Sequence, residues 1–138
     1  MYELKIVSQF AAAHQLRNFR HKCEQLHGHN WKVEVFLRSD QLDSVGLVRD
    51  FGEIKAATHQ VLDEFDHRFL NELEPFREQN PSSEWIARYL YQRLGEQLNA
   101  GSTRVSRVSV WESDTSCASY WENEAPDLQV VEQPVKKE

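Results

Sequence analysis

Two stretches of alternating polarity meet at histidines, and this pattern constrains the fold more than any other feature of the chain. In residues 2–14, Leu4, Ile6, Phe10, Ala12 and His14 occupy even positions, against Glu3, Lys5 and Gln9 on odd ones. In residues 30–38 the parity inverts: Trp31, Val33, Val35 and Leu37 are apolar, while Lys32, Glu34 and Arg38 are charged. Side chains alternate across a strand with period two, so each run reads as a half-buried strand. His14 ends the apolar face of the first run, and His27 and His29 share the parity of the second. If the two strands pair antiparallel without a bulge, the imidazoles of all three histidines meet. Phe36 departs from the pattern and implies that the polar face is partly covered as well.

Three neutral imidazoles with a fourth position open to water or substrate form the donor set of a catalytic zinc. The His27-Gly28-His29 spacing is also met by a pair of strand histidines beside a turn, and the residues alone leave both uses open. Cys23, next to His21 and Lys22, has three possible uses. It can be a base or nucleophile of lowered pKa, a fourth ligand closing a structural zinc site, or a small apolar residue.

Further along, residues 39–44 are turn-like and Val45-Gly46-Leu47-Val48 reads as a short strand. Asp50 with Glu53 three residues on is a variant capping box. Ile54, Ala57, Val61, Leu62 and Phe65 then recur at helical spacing towards Asp66-His67. Asn80-Pro81 reads as the cap and first position of a second helix, with Glu84 in its first turn and an end near Leu98. Residues 103–112 and 116–121 form two more strands around a turn at 113–115. The order strand, strand, helix, helix, strand, strand predicts an α+β fold, with a four-stranded antiparallel sheet carrying two helices on one face. Its other face needs a partner, so oligomerisation is expected. A chain of 138 residues makes one domain, residues 1–121, with 122–138 as a loosely held tail.

Asp66 beside His67 can orient an imidazole and raise its basicity. Neighbours on a helix do not face each other, however, so a helix-terminal histidine is the simpler use. Glu112 shares a face with Val108 and Val110. Buried there, it needs donors, which the guanidine-like edge of a pterin or guanine supplies in pairs; at a strand end in water it needs none. Glu84 reads as a helix residue, His59 as solvated and Cys117 as a small packed hydrophobe. Arg17, Arg20, His21 and Lys22 are either a local phosphate-binding cluster or a solvated loop.

A net charge of −6 argues against a nucleic-acid partner. No run is apolar enough for a secretory signal or a membrane span, so a cytoplasmic chain with its two cysteines reduced is expected. A disulfide between Cys23 and Cys117 stays open.

Together, Cys23-x-x-x-His27-Gly28-His29 with upstream His14, then Asp66-His67, Asn80-Pro81-Ser82-Ser83-Glu84 and Trp111-Glu112-Ser113 resemble the 6-pyruvoyl-tetrahydropterin synthase superfamily. The likeness runs from about residue 3 to residue 121. The three residues between the cysteine and His-Gly-His resemble the bacterial branch that forms 6-carboxy-5,6,7,8-tetrahydropterin for queuosine and deazapurine synthesis. The resemblance implies the tunnelling fold, with trimers whose sheets close a barrel and pairs of trimers stacking into hexamers. It also implies zinc on His14, His27 and His29, a base at Cys23, an assisting pair at Asp66 and His67, and a pterin anchor at Glu112. Ser82, Ser83 and Glu84 would line the same pocket. The implied substrate is the small molecule dihydroneopterin triphosphate, and acetaldehyde and triphosphate are released. Threonine is commoner in the family where Ser82 and Ser113 stand, and asparagine where Trp85 stands.

Overall fold

The structure, a computed structural model, describes residues 1–19 and 24–122. Strand β1 (Tyr2–His14) and strand β2 (His27–Ser39) pair antiparallel in an unbroken register, from Tyr2 opposite Ser39 to His14 opposite His27. Strand β2 thus starts three residues before the clear alternation, at the first histidine itself. Helix α1 (Phe51–Leu62) follows, then the two-residue strand β3 (Arg68–Phe69), helix α2 (Ser83–Leu98), β4 (Arg104–Ser113) and β5 (Ser116–Tyr120).

The sheet runs β3-β1-β2-β4-β5. It is therefore five-stranded and mixed, not four-stranded and antiparallel, because β3 lies parallel to β1 at Ala12 and Ala13. Two residues are too few to leave an alternating pattern, so this strand has no sequence signature. The α+β class stands: both helices pack on the face carrying Ile6, Phe10, Trp31, Val33, Val35, Val108 and Val110. Phe10 stacks on Trp31 with centroids 5.7 Å apart, and Phe65 packs on Phe10 at 5.5 Å. On the other face Phe36 is covered, as its position implied: the Arg107 guanidinium lies 4.1 Å from its ring centroid.

Five local expectations are corrected. Val45–Val48 is no strand; the Asp43 carboxylate accepts from the Val45 and Leu47 N–H groups and folds the segment into a turn. Asp50 stands at the N-cap of α1, but its side chain makes no capping bond. Helix α1 ends at Leu62, and a turn carries the buried Phe65 to Asp66 and His67. Helix α2 is capped by Ser82, whose Oγ accepts from Trp85 N–H at 3.2 Å. The Asn80 side chain is engaged elsewhere, by the backbone of Arg17. His59 is exposed as expected, but so is Cys117, which is not packed. Among the described residues, no helix is long and apolar enough to cross a membrane. Arg20, His21, Lys22, Cys23 and nearly all of the tail lie outside the described residues.

Candidate metal centre

The unbroken β1–β2 register sets the geometry. His14 is the direct cross-strand partner of His27, and His29 is paired with Ala12, one diagonal step away. All three rings lie on the helix-covered face, with centroids 4.6 Å apart for His14 and His27, 4.7 Å for His27 and His29, and 5.4 Å for His14 and His29. Trp31 is their floor, edge-on to His14 at 4.8 Å and to His29 at 5.3 Å, and its Nε1–H donates to the Ala12 carbonyl.

Glu112 enters from β4. A register shift between Trp111 and Ser113 ends the regular β4–β5 pairing at this point. Its Oε2 lies 3.1 Å from His14 Nε2, 3.0 Å from His29 Nε2 and 3.8 Å from His27 Nε2. Among the described residues, the ligand atoms of these four side chains lie within 4.8 Å of one another. The sequence reading placed Glu112 at a ligand's edge and missed its contact with the histidines. The available signal was parity, since Glu112 continues the buried face of Val108 and Val110.

The protons show what the cluster lacks. His14 Nδ1 is 2.8 Å from the Pro81 carbonyl, and His27 Nδ1 is 2.8 Å from the Gln25 carbonyl. A carbonyl only accepts, so each Nδ1 donates; His14 Nε2 is also within hydrogen-bonding geometry of Glu112 Oε2 at 3.1 Å, and in the Nδ1–H tautomer of each ring Nε2 is a lone pair available to a metal. Those two nitrogens face each other at 3.1 Å. Lone pairs so placed repel unless a cation sits between them. His29 Nε2 is buried without a hydrogen-bond partner, since the nearby Glu112 oxygen is close but off the bonding direction. Burial pushes the His29 imidazole below its usual pKa, with Glu112 opposing and His27 and His14 reinforcing the shift. Three convergent imidazoles beside a carboxylate, one of them with a buried unpartnered nitrogen, fit a divalent metal ion.

The other predicted site residues stand apart from this cluster. Asp66 Oδ2 contacts His67 Nδ1 at 3.0 Å, and Asp66 Oδ1 accepts from the Ala11 N–H at 2.9 Å. The Ala11 bond is the main cause holding the Asp66 carboxyl below the usual range. His67 is exposed and left-handed, with φ of 61°, a conformation that costs a non-glycine residue about 1–2 kcal/mol. It borders a groove lined also by Ala11, Ala13, Gly28, His29 and Asn30. His67 is not among the side chains whose ligand atoms converge in the cluster. Ser82 and Ser83 are half-buried at the start of α2, directly after the Pro81 that holds His14, and Glu84 is exposed in the first turn. Arg17 is not free for phosphate: its terminal nitrogens donate to the carbonyls of Asn71, Phe76 and Gln79.

An α+β fold gathering three histidines and a carboxylate at one end of its sheet defines a class, that of proteins with a metal-competent centre built on strand ends. The family model for 6-pyruvoyl tetrahydropterin synthase matches residues 3–123, and the chain belongs to that family. It is an enzyme of the lyase class. A 6-carboxy-5,6,7,8-tetrahydropterin synthase from Synechocystis is 36% identical over 117 residues, covering 81% of this chain and 87% of that protein. A dihydroneopterin monophosphate aldolase from Pyrococcus furiosus is 33% identical over 107 residues, covering 78% and 86%. The solved structure of Caenorhabditis elegans 6-pyruvoyl tetrahydropterin synthase superposes with a TM-score of 0.76 at 26% identity, covering 88% of this chain and 96% of that one.

Proposed function

We propose that this chain is a zinc-dependent lyase of 7,8-dihydroneopterin triphosphate. Substrate and water give 6-carboxy-5,6,7,8-tetrahydropterin, acetaldehyde and triphosphate, a step towards deazapurines such as queuosine. The observation that carries the reading is the convergence of the His14, His27 and His29 Nε2 atoms, two of whose rings are oriented by Nδ1 contacts to backbone carbonyls. Zinc held there acidifies a coordinated side-chain hydroxyl as it does a bound water.

The chain's own residues take the remaining roles. The Glu112 carboxylate, one residue before the end of β4, accepts hydrogen bonds from the amino-pyrimidine edge in a two-point contact. Ser82, Ser83 and Glu84 line the pocket beside it. Cys23 is the base that moves protons on the substrate side chain as the bond between its first and second carbons breaks. The first carbon stays as the carboxyl group, and the second and third leave as acetaldehyde. Asp66 orients His67 for assisting proton transfer.

Because His67 is not among the converging ligands, this reading has Asp66 and His67 acting at a centre completed by a second copy of the chain. Homotrimers that close their sheets into a barrel, stacked in pairs as hexamers, supply that arrangement. Two features support it: β1 is paired by β3 only at Ala12 and Ala13, and Tyr2 and Val7 are exposed.

The Pyrococcus relative favours a second reading, aldol cleavage of a less phosphorylated dihydroneopterin. Incubating zinc-loaded protein with dihydroneopterin triphosphate, and separately with its monophosphate, tests both by mass spectrometry. Acetaldehyde with 6-carboxy-tetrahydropterin from the triphosphate supports the lyase. Pyruvoyl-tetrahydropterin without acetaldehyde assigns the pyruvoyl-forming activity, and turnover of the monophosphate alone assigns the aldolase. Zinc and pterin binding without turnover leaves a binding module.

A further inference from the structure

The tautomer of His14 depends on a loop, and that loop is held by side chains. Strand β1 ends at His14, and the next residues are paired by two asparagines from residues 71–80. Asn71 Oδ1 accepts from Gln15 N–H at 3.0 Å, and Asn71 Nδ2 donates to the Gln15 carbonyl at 2.8 Å. Asn80 repeats the pattern on Arg17, accepting from its N–H at 2.8 Å and donating to its carbonyl at 3.0 Å. Each amide thus imitates a neighbouring strand for one residue. The Arg17 guanidinium closes the clamp from the other side, donating to the Phe76 carbonyl at 2.7 Å, Asn71 at 3.1 Å and Gln79 at 3.3 Å.

Pro81 follows Asn80 directly, and its carbonyl is the acceptor for His14 Nδ1. Proline has no N–H with which to anchor itself, so its placement falls to Asn80 before it and to the cap of α2 after it. We propose that Arg17 and Asn80 are positioning residues of the metal centre, clamping residues 71–80 on the end of β1 so that the Pro81 carbonyl holds His14 with Nε2 bare and aimed at the metal. The proposal rests on the reading that the histidines bind metal. It gives Arg17 a role other than binding phosphate, and it makes the bidentate shape of the guanidinium matter more than its charge.

The test uses Asn80→Ala and Arg17→Lys in the full chain, with Arg77→Ala as control. Arg77 lies on the same loop but is exposed, pairing with Glu74 at 3.1 Å and donating to the Glu72 carbonyl at 3.4 Å, and among the described residues it bonds to neither β1 nor Pro81. Two readouts are taken: the His14 tautomer in metal-free protein, by nitrogen-15 imidazole shifts, and zinc affinity by competition with a chelator. The expected wild-type signal is a single Nδ1–H tautomer. Both clamp variants should show mixed tautomers and bind zinc at least about tenfold more weakly, the effect typical of losing a group that orients a metal ligand. Arg77→Ala should match wild type in both.

Arg17→Lys keeps the charge and most of the volume, so it carries the test if Asn80→Ala does not fold. An unchanged tautomer and unchanged zinc affinity in folded Arg17→Lys would overturn the proposal. If wild type binds no zinc, the metal reading fails by itself, and the tautomer still reports on the clamp.

Discussion

Nε2 of His14 stands 3.1 Å from Nε2 of His27, and each ring has already committed its Nδ1 hydrogen to a carbonyl, of Pro81 and Gln25 respectively. With both Nε2 atoms as acceptors, the pair fits a shared cation. Wild-type protein is expected to bind one zinc per chain through these histidines. Replacing His14, His27 or His29 with alanine should weaken zinc by more than about 100-fold, beyond the range for groups that only orient ligands. Chelator competition followed by metal analysis measures this.

Glu112 separates two roles that the geometry places close together. As an anchor for the amino-pyrimidine edge it contributes through charged hydrogen bonds, each worth about 1.5–3 kcal/mol. Glu112→Gln should then keep zinc and lose about 10- to 100-fold in kcat/KM, mostly through KM. Loss of zinc from this variant would make the carboxylate a metal ligand instead.

Asp66 carries a pH signature. Its carboxyl titrates below the usual range, chiefly because of the Ala11 N–H bond and, after the opposing effect of burial, because of His67. Between the depressed folded value and the ordinary unfolded one, the unfolded chain binds more protons, so stability falls as pH falls. The advantage of wild type over Asp66→Asn should be constant at neutral pH and disappear as acid takes Asp66 through its folded pKa. The asparagine can still accept from Ala11, so the difference isolates the charge. Thermal unfolding across acid pH measures it.

Much of this architecture was legible in the chain. The parity of His14 against His27 and His29 required only period-two alternation and an unbulged pairing, and the register has no bulge. The two amphipathic helices were legible because Ile54, Ala57 and Val61, and Ile86, Leu90 and Leu94, recur at helical spacing and are buried. Hydrogen-bond competition between distant segments was not legible. Asn80 had the composition of a cap, but it spends its side chain on Arg17, 63 residues away, and leaves the cap to Ser82. The Arg68–Phe69 strand was hidden because it is set by the Asp66 and His67 bonds to Ala11 rather than by any pattern of its own. Arg17 read as either a phosphate ligand or a solvated loop residue, because charge is visible in a sequence and three loop carbonyls are not.

Trp31 couples the core to the site. It is fully buried, stacks on Phe10 and supports the rings of His14 and His29. Trp31→Ala should cost about 3–5 kcal/mol by denaturant unfolding and weaken zinc. Trp31→Phe should recover most of the stability, while losing the bond to the Ala12 carbonyl.

The most direct test of an open metal centre is X-ray absorption at the zinc edge of the zinc-loaded full chain. The expected first shell has three imidazole nitrogens at about 2.0–2.1 Å and a light oxygen donor, with no sulfur. Cys23→Ala should leave that spectrum unchanged while abolishing turnover. A sulfur scatterer at about 2.3 Å, lost in Cys23→Ala, would contradict it: the cysteine would then close the site and the zinc would be structural.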